Sequence, residues 1–267
     1  MIGVVKNAAF KPDILLCGYT GAGPYPQTYF NLDDPQLPVE AEKKKQAFFE
    51  RYRRLVSELQ PKVTIPFAGK YILGGKLARL NSFRGVADAT EVLAIDEKAV
   101  VLADNGGQIA TGDLKLTQVR VEPYSQKDIE ERQREIGKHK MDYERLIAES
   151  EVHQLPLKRL LMAATRKAGE QSECRQDYFF TFRLPDQSFA VINAKRGTET
   201  PIRFCSFNEM GQLEPRSDIE IDPRYLFGLL TGVYHWNNAE VGSQYETRRF
   251  PNQYNLAAQS YLNFFVL

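Results

Sequence analysis

The sequence predicts an α/β protein whose first part has buried strands and whose last part is a small α+β domain. Ile14–Cys17 is a short continuous apolar run after Pro12, which is typical of a strand buried on both faces. A basic amphipathic helix and a second apolar strand, Val63–Ile65, follow it. From Asp177 onward, strand-like segments and turns alternate, which predicts a second, smaller sheet.

The first strand runs directly into a loop rich in glycine and proline, Thr20–Tyr29. Glycine permits positive φ and close backbone approach, and proline fixes φ. Open α/β sheets place their ligand crevice at such a loop, outside the carboxyl end of a strand. Gly21, Gly23 and Tyr25 are therefore candidate binding residues. A rigid turn held by aromatic packing is an equally good interpretation.

A second loop of the same kind follows the next strand. The helix Glu40–Leu59 has apolar residues at helical spacing and ends before Pro61. Its lysine run is interpreted as a solvated face rather than a polyanion site. Val63–Ile65 then opens into the loop Pro66–Gly75. The candidate substrate-binding residues in this loop are Gly69, Lys70 and Tyr71.

Together these segments resemble a known family. The segments concerned are the run Gly21–Pro26, the lysine-rich helix, Leu59–Lys62 and Pro66–Gly69. They are similar to the later part of the metallo-β-lactamase-fold region in the CMP-N-acetylneuraminate hydroxylase-like family. That family includes UDP-N-acetylmuramate hydroxylases and more distant metal-dependent hydrolases. The resemblance covers roughly residues 10 to 90. It implies a partial αββα metallo-β-lactamase-like sandwich and a phosphorylated or nucleotide-linked substrate.

The chain departs from that family at the metal site. The wider group holds its metal with an early His-x-His-x-Asp-His run and later His and Asp ligands. Here the histidines, His139, His153 and His235, are isolated from one another in the sequence. Phe67 and Ala68 occupy the position at which the wider group has its last metal ligand. The resemblance therefore implies the second half of such a domain, with no metal and no cofactor. We expect self-association or a partner that supplies the missing half.

The composition limits the partners and the cellular location that the sequence allows. A net charge of +1 gives no reason to expect nucleic acid or a membrane surface as a partner, and no apolar run is long enough for a transmembrane helix. Cys17, Cys174 and Cys205 are widely spaced and are interpreted as reduced, buried thiols. The predicted location is cytoplasmic.

The middle of the chain contains several polar residues of open interpretation. Within Leu77–Ala94, the side chains of Arg79, Asn81, Arg84 and Asp88 can reach an anionic ligand at the loops, but a solvated surface is favoured. Asn105-Gly106 predicts a hairpin that joins Lys98–Ala103 to Gln108–Thr111.

Three parts follow from these patterns: residues 1–123 as the half-sandwich, 124–170 as a helical connector, and 171–267 as the small α+β domain. The connector contains a charged surface helix within Ser125–Glu149 and a second helix, Leu157–Ala168, that stops near Gly169. His139 and His153 lie there among charges and are interpreted as solvated. The elements predicted for the last part are strands Tyr178–Leu184, Phe189–Ala194, Pro201–Phe207 and Gln244–Phe250, a helix Pro223–Leu230 capped by Asp222, and a C-terminal helix from Leu256.

One segment of the last part suggests a second binding site. His235, Trp236, Asn237 and Asn238 offer hydrogen-bond donors and a stacking ring within four residues, which suits a sugar or nucleotide. A buried polar cluster that locks the turn after the helix is slightly favoured. Two functional classes remain: a hydrolase-like protein that binds or acts on a small anionic or sugar-nucleotide ligand, and a non-catalytic binding or accessory protein.

Overall fold

The computed structural model describes residues 11–267, which form a mixed α/β structure of two compact units. The first unit contains the described residues up to Ala22, Leu32–Gly74 and Ala78–Gly137. The second contains Gly23–Asn31, Gly75–Leu77 and Lys138–Leu267. The residues of the predicted connector, 124–170, are divided between the two units after Gly137. No helix in the described range is long and apolar enough to cross a membrane.

The first unit is built on two parallel strands, β1 (Ile14–Gly18) and β2 (Val63–Phe67). Their register pairs Ile14 with Val63 and Gly18 with Phe67. Helix α1 (Gln36–Leu59) connects them, because parallel neighbours need a long crossover. The helix ends at Gln60, which adopts a left-handed conformation and donates its N–H to the Val56 carbonyl.

One face of this strand pair packs against α1, and the other face is covered only in part. Cys17 packs with Phe49 and Tyr52 of α1, and these three side chains are buried. On the other face, Leu16 is 55% exposed and Phe67 is 56% exposed, whereas Ile65, which pairs with Leu16, is only 7% exposed. The prediction that β1 is buried on both faces is therefore wrong, because a continuous apolar run does not show which side chains a neighbour covers.

The rest of the first unit is mostly short elements. It contains the part of the 3₁₀ helix Gly75–Asn81 from Ala78 onward, a second 3₁₀ helix at Ala89–Ala94, strands β3 (Gln108–Ile109) and β4 (Leu116–Thr117), and helix α2 (Gln126–Gly137). The predicted hairpin at Asn105-Gly106 is wrong. Gln108 pairs with Thr117 across a later turn, and Ala99 instead forms a parallel bridge with Thr64 of β2.

The second unit is a five-stranded sheet with helices. Its strands are β5 (Phe179–Arg183), β6 (Phe189–Asn193), β7 (Ile202–Cys205), β8 (Arg216–Ile221) and β9 (Tyr245–Phe250), in the order β7-β6-β5-β8-β9. β5 and β8 are parallel, and the other neighbours are antiparallel.

The helices of this unit are α3 (Asp142–Leu146), α4 (Leu157–Gln171), α5 (Phe207–Met210), α6 (Pro223–Leu230), α7 (Trp236–Val241) and α8 (Leu256–Tyr261), with 3₁₀ helices at Glu149–Gln154 and Leu262–Phe264. The prediction of α6 is confirmed with its bounds: the Asp222 side chain accepts from the Arg224 amide, and Pro223 is the first helical residue. Helix α4 begins at the predicted Leu157 and ends at Gln171, two residues beyond Gly169, near which its end was predicted.

The core of this unit is aromatic. Phe180 stacks on Tyr261 with ring centroids 6.1 Å apart, and Phe182 stacks on Phe265 at 5.9 Å. Leu161 of α4 is fully buried in the same cluster. Burial of large apolar side chains of this kind is the dominant stabilising contribution to a fold.

Replacing Leu161 with alanine should lower the free energy of unfolding of the second unit by about 2–5 kcal/mol, because the truncation leaves a cavity. Trp236 is the only tryptophan and lies in this unit, so its fluorescence during urea unfolding reports on it. Met162, the next residue, is 51% exposed, and Met162→Ala should change the same free energy by less than about 0.5 kcal/mol. Equal losses from both substitutions would contradict the assigned helix face.

Candidate functional site

The candidate site is a cleft of about 730 Å³ in the first unit, at the carboxyl ends of β1 and β2. We call it the strand-end cleft. Its lining includes Tyr19, just after β1, and Phe67–Lys70, just after β2, with further residues from Asp88–Ala89, Val101–Asn105, Val119–Glu122 and Tyr124. The parallel pairing explains its position, because parallel strands bring their carboxyl ends to one edge.

Close packing between the two loops fixes the centre of the cleft. The buried Tyr19 hydroxyl accepts a hydrogen bond from the Lys70 amide, with an N–O distance of 3.2 Å. A Cβ atom at position 69 would lie 1.7 Å from the Tyr19 hydroxyl oxygen. Gly69 is therefore required for contact between the loops and not for positive φ. Burial raises the pKa of Tyr19, and the carboxylates of Asp88, Asp104 and Glu91 add to that effect.

Lys70 and Asp88 form the principal ion pair of the cleft. The Lys70 Nζ lies 3.1 Å from an Asp88 carboxylate oxygen, and the Lys70 side chain is 23% exposed. Asp88 also caps the 3₁₀ helix Ala89–Ala94 by accepting from the Thr90 amide, and Glu91 bonds back to the Asp88 amide. Burial alone would raise the pKa of Asp88, but the hydrogen bonds from Thr90 and Lys70 outweigh it and lower the pKa. Asp88 is therefore ionised at neutral pH.

An exposed tyrosine lies beside this pair. Tyr124 is 55% exposed and donates a hydrogen bond to Asp104. The Lys70 Nζ lies 5.5 Å from the centroid of the Tyr124 ring, within the range of a cation–π interaction. Acceptance of the hydrogen bond by Asp104 is the main reason that the pKa of Tyr124 is raised. The cleft thus combines an aromatic ring, a cation and carboxylates, which suits a ligand with hydroxyl groups and a planar base.

The structure places the predicted loop residues in different environments. Gly69 and Lys70 line the cleft, and Tyr71 lies under the Arg84 guanidinium, 4.3 Å from its ring centroid. Gly21 packs against Phe48 of α1, since a Cβ there would come within 2.7 Å of that ring. Both predicted loops are divided between the units, Thr20–Tyr29 after Ala22 and Pro66–Gly75 after Gly74.

The segment Gly23–Asn31 belongs to the second unit and is fixed by hydrogen bonds. The Thr28 carbonyl accepts from the Thr247 amide of β9 at 2.8 Å. Gln27 donates to the Ser243 hydroxyl, and the Tyr29 hydroxyl donates to Glu240 while it accepts from Arg249. Tyr25 packs near Tyr29 and Phe30, with both pairs of centroids 5.9 Å apart, and a Cβ at Gly23 would meet no atom within 4 Å. These contacts favour the interpretation of this loop as a rigid turn.

The predicted binding residues around the tryptophan also lie in different environments, one buried and three exposed. Trp236 is 4% exposed, and its indole N–H donates to the Phe265 carbonyl at 2.7 Å. It therefore packs in the aromatic core and offers no open face for stacking. His235, Asn237 and Asn238 are exposed around the start of α7. Substrate binding by these three residues stays a prediction.

Two of the sequence interpretations need correction. Asn81 and Arg84 are buried, at 9% and 6% exposure, so they are not the solvated surface that was favoured. Cys205 is only partly buried, although all three cysteines are free thiols. Among residues 11–267, no three His, Cys, Asp or Glu side chains are grouped so that they can hold a metal ion.

The sequence patterns did not indicate Tyr19 and Tyr124 as neighbours of Lys70, or Asp104 as the partner of Tyr124. For Asp88, a usable signal was present: Asp88 and Glu91 have the spacing of a capping box, which marks the start of a helical turn next to the second loop. For Tyr124 no local signal existed, because its place depends on the path of residues far from both strands. Comparisons with protein-family models, curated proteins and solved structures returned no match.

Replacing Gly69 with alanine should displace the Tyr19 ring and destabilise the first unit by about 1–3 kcal/mol, because the added methyl overlaps the tyrosine hydroxyl. The most direct readout is hydrogen exchange of the Lys70 amide, which should become faster when its acceptor moves. Gly23→Ala is the matched control, and it should leave that rate and the stability nearly unchanged. An unaltered Lys70 exchange rate in Gly69→Ala would contradict the loop contact.

Proposed function

We propose that the first unit is the second half of a metallo-β-lactamase-like αββα sandwich and that the chain is a hydrolase-like protein that binds a phosphorylated or nucleotide-linked small molecule. The observation that carries this proposal is the strand-end cleft, where Lys70, Asp88 and Tyr124 converge at the carboxyl ends of two parallel strands. This is the position at which α/β sheets bind ligands.

The packing of the strand pair is consistent with the half-sandwich. Such a sandwich covers one face of its sheet with helices and places a second sheet against the other face. Here α1 covers the face with Cys17, and Leu16 and Phe67 on the opposite face are more than half exposed. Leu16 pairs with the buried Ile65, and Phe67 pairs with Gly18, so the two exposed side chains lie diagonally on this face. Exposed apolar side chains of this kind mark a surface suited to association. A second copy of the chain or a partner with the first half-sandwich fits this surface.

The side chains of the cleft suit a nucleotide-linked sugar. Tyr124 offers a half-exposed ring for stacking a base, and Asp104 and Glu122 offer carboxylate oxygens that accept from sugar hydroxyl groups. Lys70 and Arg120 supply the positive charges of the cleft. The Lys70 amide donates to the Tyr19 hydroxyl, which fixes the Lys70 backbone, and Asp88 holds the Lys70 side chain in place before a ligand binds. This order reduces the entropy lost on binding.

A non-catalytic binding or accessory role is the second candidate, and the ionisation of the cleft favours it. A general acid or base works best with a pKa near the working pH. Burial raises the pKa of Tyr19, and hydrogen bonds lower that of Asp88, so both shifts move away from neutrality. The Cys17 thiol is also a poor nucleophile, because burial raises its pKa. The groups described in and near the cleft are thus built for binding more than for proton transfer.

Binding of a UDP- or CMP-linked sugar should weaken about five- to a hundredfold in Tyr124→Ala, the loss expected for one stacked base. Isothermal titration calorimetry measures this directly. Tyr254, in the second unit, is 57% exposed and serves as the matched control, so Tyr254→Ala should bind as the parent does.

Lack of binding by the parent chain, or an equal loss in both variants, would contradict the assignment of the cleft. Product analysis by chromatography after incubation of the bound sugar nucleotide separates the two candidates. Cleavage that is lost in Tyr124→Ala supports the hydrolase-like protein, and binding without cleavage supports the accessory role.

A further inference from the structure

One edge of the five-stranded sheet in the second unit is open beside a groove. β7 is the first strand in the order β7-β6-β5-β8-β9, so β6 is its only neighbour among the described strands. The opposite edge differs, because the Thr247 amide of β9 donates to the Thr28 carbonyl of the segment Gly23–Asn31. Within residues 11–267, the chain thus covers part of one edge of this sheet with its own backbone and leaves the other edge available.

The register of β7 shows which of its backbone groups face outward. The Asn193 amide donates to the Pro201 carbonyl at 2.8 Å, which continues the antiparallel register of β6 and β7. Successive residues of an antiparallel strand point their backbone groups in opposite directions. Arg203 therefore points its N–H and C=O toward β6, whereas those of Ile202 and Phe204 point away from it. No hydrogen bond to these outward groups occurs among the described residues.

A groove of about 720 Å³ lies beside this edge. Its second wall is the segment 195–202, which includes the first residue of β7. Met162 is 51% exposed, and Ile202 is partly buried against the core, so apolar surface adjoins the open strand. Farther along, the Lys158 Nζ lies 5.6 Å from the centroid of the Phe204 ring, so α4 flanks β7 over its length. The first wall is one face of α4, with residues spaced three and four apart: Met162, Thr165, Arg166, Gly169 and Glu170.

The charged side chains of the groove carry both signs. The cations are Arg166, Lys195 and Arg196, and the carboxylates are Glu170 and Glu199. A site for a phosphate or a nucleic acid needs a clear excess of cations. A mixed lining beside a row of backbone donors and acceptors instead suits a polypeptide.

We propose that β7 and this groove bind an extended peptide segment of a partner protein, which adds antiparallel to β7 as a further strand. An extended chain repeats its N–H and C=O groups at the spacing that Ile202 and Phe204 present. Side chains of directly opposed residues lie on the same sheet face. The peptide residues opposite Ile202 and Phe204 therefore point toward α4 and are apolar, and the residue between them lies opposite Arg203 and is acidic.

A second copy of the chain fits this edge less well. When Ile202 of each copy pairs with Phe204 of the other, Arg203 lies opposite its own counterpart. Like charges directly opposite one another destabilise a strand pair. The Arg203 side chain is also held in place, because it donates to the carbonyls of Glu209 and Met210. An acidic residue of a different protein removes this repulsion.

The proposal is tested by titrating the full chain into a labelled peptide, fluorescein-Thr-Val-Glu-Val-Thr-amide, whose valines match Ile202 and Phe204. Fluorescence anisotropy should detect binding. Methylation of both valine nitrogens should abolish it, because the methyl groups remove the donors to the β7 carbonyls. No binding by the parent chain, or equal affinity for the methylated peptide, would overturn the proposal.

A substitution in the groove wall tests the position of the peptide. Met162→Asp should weaken binding about five- to thirtyfold, the usual effect of one lost apolar contact. Ala163→Asp is the matched control, since Ala163 is exposed on the same helix and lies outside the groove lining. It should bind like the parent, and an equal loss in both variants would contradict the assigned site.

Hydrogen exchange of the parent chain tests the open edge without any substitution. In the free chain, the amides of Ile202 and Phe204 should exchange faster than that of Arg203, which bonds to β6. The peptide should slow the first two and leave the third nearly unchanged. Slow exchange of all three in the free chain would show that the edge is already covered, and slowing that follows chain concentration alone would assign it to a second copy. Either result would overturn the proposal.

Discussion

The parallel pairing of β1 with β2 is the constraint on which the first unit depends. It requires a crossover connection, and α1 supplies it with one apolar face against Cys17. It also brings the ends of both strands to one edge, where Tyr19 meets Gly69 and Lys70. The strand-end cleft is therefore a consequence of strand direction, and loop composition only shapes its walls.

Side chains near β2 strengthen the same arrangement. The Asp96 carboxylate accepts hydrogen bonds from Tyr52 of α1 and from Thr64 of β2, at 3.1 Å and 2.5 Å. The Thr64 amide and carbonyl bond to Lys98 and Val100, which extends the pairing beyond β2. One carboxylate thus ties helix, strand and following segment together, and bonds to a charged acceptor are stronger than neutral ones.

The sequence predicted the elements with strong local signals and missed those set by distant contacts. Asp222-Pro223 marked the start of α6 because capping is a property of a few adjacent residues. Strand β8 was missed, because its charged residues do not read as a central strand. Asp218 is accommodated there by bonds from Thr181 and Arg216, neither of which sequence spacing reveals as a partner.

For the candidate sites, residue type was a better guide than environment. Gly69 and Lys70 were predicted and line the cleft, but Trp236 was predicted as a stacking surface and lies in the core. Arg84 was interpreted as solvated, and its burial follows from carbonyl acceptors at Tyr71 and Asn81 that no pattern specifies. Composition shows which groups are present, whereas packing decides which of them remain available to a ligand.

The parallel strands β1 and β2 bring Tyr19 and Lys70 together at one edge of the first unit. Nuclear Overhauser contacts between the backbones of β1 and β2 in isotopically labelled protein test it most directly. We expect amide-to-α contacts in the parallel register, from Ile14 beside Val63 to Gly18 beside Phe67. Strong α-to-α contacts, which mark antiparallel neighbours, or a shifted register would contradict it, because Tyr19 and Lys70 would then no longer meet.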